Sequence, residues 1–520
     1  MTSQRKLFPG MVLFACVFGV ALTNSSCTKS IPSSEPLAAL TPASADADAG
    51  TWKMIILSSP SQIPVAAPLA VTDPAYQSEL QALKTDQKNI DKSEKELIAY
   101  WSVGGTLRWN EILRELVARA DLPPAPNYDG TYSPPDQNNP FAYPTFPFSN
   151  PPYAVRAYSY VAVAQYEALK AAWYYKYLYN RQSPHMNDSG VQSLMPEDGV
   201  PSYPSEDAVE AGVNATLLTL LFPTSVDEIM QKASEQQEAI QLAGRASASD
   251  VAAGYALGQA VAAIFVARAK TDGMKAAAGN AAEWQQLADQ ATARGEIPWK
   301  SQETPARPPM LPLFGQVKTW MLSPADVVRV RPGPPPSTSS DQMKQETAAV
   351  KNAVEHLTRA QLATVYKWND GANSVTPPGH WNAIAVPYIT KAAFSEVRAA
   401  RAFALLNMAL HDAGVGCWDA KYAYFNPRPS QMDPSIRTEI GLPNFPSYVS
   451  GHSDFSAAAA DVLGYLFPSG ADYFNSQRDE AANSRLYGGI HYPSDIKYGL
   501  QQGLAIGDFT VNFAKSDGAN

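Results

Sequence analysis

The chain has 520 residues, 45% hydrophobic and 17% charged, with a formal net charge of −9. That length holds two or three ordinary domains, and no basic stripe runs along it to neutralise a nucleic-acid backbone. Its three cysteines, Cys16, Cys27 and Cys417, rule out a disulfide framework and leave Cys417 as a packing residue in an apolar helix.

At the N-terminus, Arg5 and Lys6 precede an apolar run over 7–22 and then Thr23-Asn24-Ser25-Ser26-Cys27. This is the layout of an export signal, and Cys27 stands where a bacterial lipoprotein is cleaved and acylated. Asn24, three residues before the cysteine, departs from the usual small or aliphatic residue, so a plain secretory signal is the alternative. The sequence thus predicts a signal over 1–27 and an exported protein on the periplasmic side or the cell surface. A Ser/Ala/Pro-rich tether follows over 28–50. Membrane contact is expected only through the lipid, since no later window offers about 20 uninterrupted apolar residues.

From residue 51 onward, Ala-rich segments with apolar residues at helical spacing dominate, for example 153–175, 252–269 and 397–417. Strand-like alternation is scarce, and prolines gather in connections such as 123–152 and 332–336. A mostly α fold is predicted. Residues 156–273 also match 401–518 at a constant offset of 245: Trp173 with Trp418, Lys176 with Lys421, Pro201-Ser202-Tyr203 with Pro446-Ser447-Tyr448, Asp250 with Asp495. Upstream, Trp109-Asn110 echoes Trp381-Asn382 at a larger offset, which places an insertion in the first copy over 123–152. Such a repeat predicts two related helical bundles packed as one body. An N-terminal region (51–340) would carry the first copy and a C-terminal region (341–520) the second.

Only the second copy carries chemistry. Lys421 and Arg428 lie seven residues apart, followed by Ser450-Gly451-His452 and then by Arg485, His491 and Asp495. Three fixed cations can neutralise an oxyanion, and a glycine at a helix start lets backbone N–H groups approach its oxygens. Two histidines supply a nucleophile or ligand and a general acid/base. In the first copy Ser183 stands opposite Arg428, Glu206 and Asp207 opposite Gly451 and His452, Ile240 opposite Arg485, and Ala246 opposite His491. That copy reads as a structural partner.

The pattern K-x6-R-P, S-G-H, S-R-x5-H-x3-D resembles the signature of the superfamily that joins type 2 phosphatidic acid phosphatases, bacterial acid phosphatases and vanadium-dependent haloperoxidases. Val449 stands where that signature has proline. The resemblance implies paired helical bundles and an oxyanion held by Lys421, Arg428, Ser450, Gly451 and Arg485. It makes His491 the vanadate ligand or phosphoryl nucleophile, His452 the acid/base and Asp495 the carboxylate that orients His491. Asp370, in Trp368-Asn369-Asp370-Gly371, resembles a haloperoxidase aspartate that pairs with the acid/base histidine; its alternative is a turn residue. His411 and Asp412 read as a buried polar pair, and His380 as a loop histidine, with a place at the pocket mouth as its alternative. Trp418 and Phe445 are expected along the pocket, Phe445 in the chloroperoxidase manner or simply as core. Two reactions fit: oxidation of a halide by hydrogen peroxide at a vanadate cofactor, or hydrolysis of a phosphomonoester without one. Length, duplication and the Trp418 and Asp370 segments favour the first, whereas His491-Tyr492-Pro493-Ser494-Asp495 is worded like the phosphatases. A non-catalytic oxyanion-binding lipoprotein is the third reading, and an intact His452 argues against it.

Overall fold

The computed structural model describes residues 37–132 and 151–519. The expected export signal, the start of the tether and most of the expected insertion lie outside these residues. The tether is shorter than its composition suggests. Leu40 donates its N–H to the Ser102 carbonyl at 2.7 Å, and Ala43 to that of Ala393 at 2.8 Å. Asp46 is buried, ion-paired with Arg398 at 2.6 Å and hydrogen-bonded by Ser395 at 2.5 Å. These partners lie far along the chain, so a Ser/Ala/Pro-rich stretch that reads locally as a tether is pinned to the body from about Leu40 onward.

Ten helices carry the architecture: α1 (Gly105–Ala120), α2 (Pro151–Tyr179), α3 (Glu206–Leu221), α4 (Val226–Leu242), α5 (Ala248–Ala269), α6 (Thr376–Lys391), α7 (Glu396–Tyr424), α8 (Gly451–Leu466), α9 (Ala471–Tyr487) and α10 (Pro493–Ala514). Shorter helices fill the connections, and no strand occurs among the described residues. α2 and α7 are apolar around most of their circumference, the signature of helices buried on all sides, and they pack along each other at the centre.

Adding 245 to the bounds of α2, α3, α4 and α5 gives those of α7, α8, α9 and α10. The hydrogen bonds repeat as well. Arg156 donates to Asp272 and to the Ala269 carbonyl at 2.7 and 3.0 Å, and Arg401 donates to Asp517 and the Ala514 carbonyl at the same distances. Glu167 collects the N–H groups of Ile55, Ile56 and Leu57, as Asp412 collects those of Trp320, Met321 and Leu322. Asp412 is therefore chiefly an anchor for a loop, with the His411 ring 3.3 Å away. The echo between α1 and α6 is also spatial: Trp109 and Trp381 are both buried, and Asn110 donates to Asn382 at 2.8 Å.

Glycine sets the helix crossings that matter for the site. A Cβ on Gly503 would lie 2.0 Å from the Asp454 carbonyl, and one on Gly258 2.1 Å from the Val209 carbonyl. α10 thus meets α8, and α5 meets α3, backbone against backbone. In each pair the loop before the first helix is tied to the start of the second: Ser450 N–H to the Asp495 carbonyl and Ser205 N–H to the Asp250 carbonyl, both at 3.0 Å.

Candidate active site

Four chain turns converge at one end of the second bundle. α7 runs out at Phe425, held in the left-handed region at φ 55°, leaving Lys421 in its last turn. Arg428 follows in extended backbone, because Pro429 restricts the residue before it and starts a new short helix. The 443–450 loop leads into α8. α9 ends at Tyr487; Gly489, at φ 74°, turns the chain back before Pro493 begins α10. Arg485 and His491 are thereby brought to the same side.

His491 is buried between an acid and a base. Its Nδ1 lies 2.9 Å from Asp495 Oδ2, which also accepts from the Ser447 hydroxyl at 2.5 Å and the Tyr492 N–H at 3.1 Å. Its Nε2 lies 3.0 Å from Arg428 Nη1. Since a guanidinium only donates, Nε2 carries the lone pair and Nδ1 the proton. Burial, reinforced by Arg428, Lys421, Arg485 and His452, holds the imidazole well below its ordinary pKa. Burial lifts Asp495 to about 6, opposed by its Ser447 hydrogen bond and by Lys421. At neutral pH the pair is a carboxylate and a neutral ring with its nucleophilic nitrogen free of a proton.

The cations around it are starved of counter-charge. Burial lowers Arg428 and Arg485 to about 10 each and Lys421 to about 8. Arg485 donates to Ser484 at 2.8 Å and to the Trp368 carbonyl. Arg428 donates to the Phe445 and Ile490 carbonyls at 3.0 and 2.8 Å. Lys421 donates to the carbonyls of Pro446, Ser447 and Val449, the first two at 2.9 and 3.0 Å. Lys421 thus braces the loop and contributes charge from behind the wall. Ser450 is also behind it: its hydroxyl caps α8, accepting from Ser453 N–H at 3.4 Å. The cavity wall itself holds Gly451, His452, Arg485 and His491, with Trp418, Phe445, Phe455 and Met310 as its apolar part. Its volume is about 460 Å³, within the range of small-molecule sites.

The acid/base candidate lines the same cavity. His452 Nε2 lies 3.2 Å from Asp370 Oδ2, and Nδ1 makes no hydrogen bond among the described residues. Burial and Arg485 push His452 down to about 4, against the pull of Asp370. Burial works to raise Asp370, but hydrogen bonds from His380 and His452 hold it well below the usual carboxylate range.

Three features of the site were not legible in the motifs. His380, expected in a loop, sits within α6, five residues in, with its Nδ1 3.1 Å from Asp370 Oδ1. Asp121, at the end of α1, lines the same cavity, its carboxyl raised by burial to about 8. Ser447, the hydroxyl on Asp495, was signalled by the repeat alone, and its counterpart Ser202 donates instead to the Gln182 carbonyl at 3.2 Å.

The model of the PAP2 superfamily matches residues 401–517. This segment is a PAP2 superfamily domain. It spans every motif from Lys421 to Asp495, while Asp370 and His380 lie upstream of it. No curated protein matches the chain in sequence. Among solved structures, the first bacterial vanadium-dependent iodoperoxidase aligns with a TM-score of 0.53 at 22% identity, covering 70% of this chain and 91% of the other. A holo-type bacterial vanadium-dependent chloroperoxidase aligns at 0.51 and 16% identity, covering 75% and 97%. The apo-type chloroperoxidase gives 0.50 and 14%, covering 69% and 93%. The PAP2 segment therefore sits in a fold shared with these solved structures.

Proposed function

We propose that the protein is a vanadium-dependent haloperoxidase-like enzyme that oxidises a halide with hydrogen peroxide. The observation that carries this reading is the unprotonated Nε2 of His491, set among three under-neutralised cations beside a cavity that His452 also lines. Vanadate fits this donor set: a neutral nitrogen lone pair, the N–H groups at the start of α8, and cations whose lowered pKa values are relieved by an anion. Arg428, Arg485 and the backbone at Gly451 would hold it, with Lys421 adding charge and Ser450 capping α8 from behind the wall, and when bound it supplies Lewis-acid activation of peroxide without changing oxidation state. The protein's own share is definite. Asp495 fixes the His491 tautomer, and the cations stabilise negative charge on oxygen. His452, neutral and hydrogen-bonded to Asp370, takes the peroxide proton at Nδ1. Trp418, Phe445 and Phe455 keep that side of the cavity apolar.

A second reading has its own support. The same groups suit phosphomonoester hydrolysis through a phosphohistidine at His491, with His452 protonating the leaving group, and a cavity of about 460 Å³ leaves room for one. The deciding experiment assays the apoprotein in parallel with vanadate, peroxide and a halide, and with an aryl phosphate. Vanadate-dependent halide oxidation, with phosphate competing, supports the haloperoxidase. Ester hydrolysis that vanadate merely inhibits supports the phosphatase. We further read Cys27 as the lipidated N-terminal residue of an exported protein. Mass spectrometry of the mature N-terminus checks this, and an unmodified terminus beyond Cys27 would indicate plain secretion.

A further inference from the structure

The two oxygens of Asp370 are shared between two histidines. Oδ2 lies 3.2 Å from His452 Nε2, and Oδ1 lies 3.1 Å from Nδ1 of His380. The carboxylate sits on strained backbone, at φ 45°, a region that costs a non-glycine residue free energy and persists only where surroundings enforce it. The His380 ring is itself fixed, stacked on Trp368 with centroids 4.1 Å apart and planes 19° from parallel. The carbonyl of that tryptophan accepts from Arg485. A three-residue stretch, Trp368 to Asp370, therefore links an anion-binding cation to both histidines.

We propose that His380 is a positioning residue for the reaction. It clamps one oxygen of Asp370 so that the other orients His452, and it passes its own charge state to His452 through the shared carboxylate. The charged and titratable groups facing this unit are Arg485 and His491 on the cavity side and Asp121 beyond Asp370, with Lys367 stacked 5.3 Å over the Trp368 ring. A protonated His380 draws on the negative charge of Asp370 and weakens its support of a protonated His452; a neutral His380 leaves that support whole. This deepens the functional reading above and relies on it for the reaction, whereas the coupling between the histidines rests on geometry alone.

The test uses the full chain with isotope-labelled histidine. His380→Asn keeps a donor toward Asp370 without a charge, and His380→Phe keeps the stack without the donor. Following the His452 ring by NMR against pH, its titration midpoint should move in both variants. In turnover, His380→Phe should lose about 10- to 100-fold in kcat, as second-layer partners of reacting histidines do. His380→Asn should regain most of this with a displaced pH profile, and vanadate affinity should hold within a few-fold. An unmoved His452 midpoint in both variants overturns the proposal whatever the activity. If the parent protein turns over neither halide nor phosphate ester, the functional reading fails while the NMR midpoints still decide the role of His380.

Discussion

At the scale of single residues, the two candidate reactions ask opposite things of His452, and its environment makes the difference measurable. Held at about 4 by burial and Arg485, the ring is neutral over most of the pH range. A peroxide-deprotonating base needs that neutral form, so haloperoxidase kcat/KM should be flat near neutrality and fall as pH drops through about 4. A leaving-group acid needs the protonated form, so phosphatase turnover should instead decline as pH rises through the same value. A pH–rate profile of whichever activity is found checks the sign. His491→Ala should abolish both reactions, because its Nε2 is the nitrogen lone pair held against Arg428; retention of more than a few per cent of vanadate-dependent turnover would remove His491 from its role. Lys421→Met tests a subtler point. Three carbonyls of the 446–449 loop lose their donor, so the variant should lose stability as well as anion affinity, with a lower Tm in the anion-free protein. An unchanged Tm would mean that Lys421 is not the brace of the loop.

At the scale of elements, the site depends on how closely α10 approaches α8, and the duplication supplies its own control. A methyl at Gly503 meets the Asp454 carbonyl, and one at Gly258 meets that of Val209. Helix backbones cannot yield as a flexible side chain would, so each Gly→Ala change should cost about 1–3 kcal/mol of stability. Their effects on turnover should part. Gly503→Ala pushes α10, and with it Asp495 and His491, away from Gly451 and His452. Gly258→Ala spreads the corresponding helices of the silent copy. Comparable losses in Tm with a fall in kcat for Gly503→Ala alone are expected from circular dichroism and a standard assay. Equal loss of activity in both would show that the first bundle shapes the site as strongly as the second. The elements themselves were largely legible in the sequence, because the helical spacing of apolar residues and the prolines of the connections act locally. The link from Asp370 to His380 was not, since the nine residues between them read as an irregular loop, and the left-handed turns at Asp370, Asn373 and Thr376 accompany the return of the chain.

At the scale of the whole molecule, an offset of 245 read from scattered Trp, Pro and Gly positions corresponds to helix bounds and long-range hydrogen bonds alike. What the offset could not show is how the silent copy was refitted. The first bundle keeps Lys176, which now pairs with Glu206 at 2.6 Å. Near where the second bundle holds an acid/base histidine, the buried Glu210 and Glu396 gather with the half-buried Asp207. Glu210 accepts from the Thr106 hydroxyl at 2.5 Å and Glu396 from the Thr106 N–H at 3.1 Å, so these carboxylates serve the start of α1, whose N-cap, Gly104, has no side chain to do it. The cost is mutual repulsion out of water. Burial, with the neighbouring acids, raises Asp207 and Glu210 well above their ordinary values and Glu396 to about 7. Because the folded chain then holds protons that the unfolded chain releases, stability falls as pH rises between the unfolded carboxylate range and about 7, and is fullest below it. Glu210→Gln removes one partner of the cluster. Its Tm should therefore decline less between pH 5 and pH 8 than that of the parent, while turnover at the distant second-copy site is unchanged. An identical pH dependence of Tm in both proteins would mean that these acids are not the proton reservoir of the fold, and a matching loss of turnover would mean that the first copy is not silent.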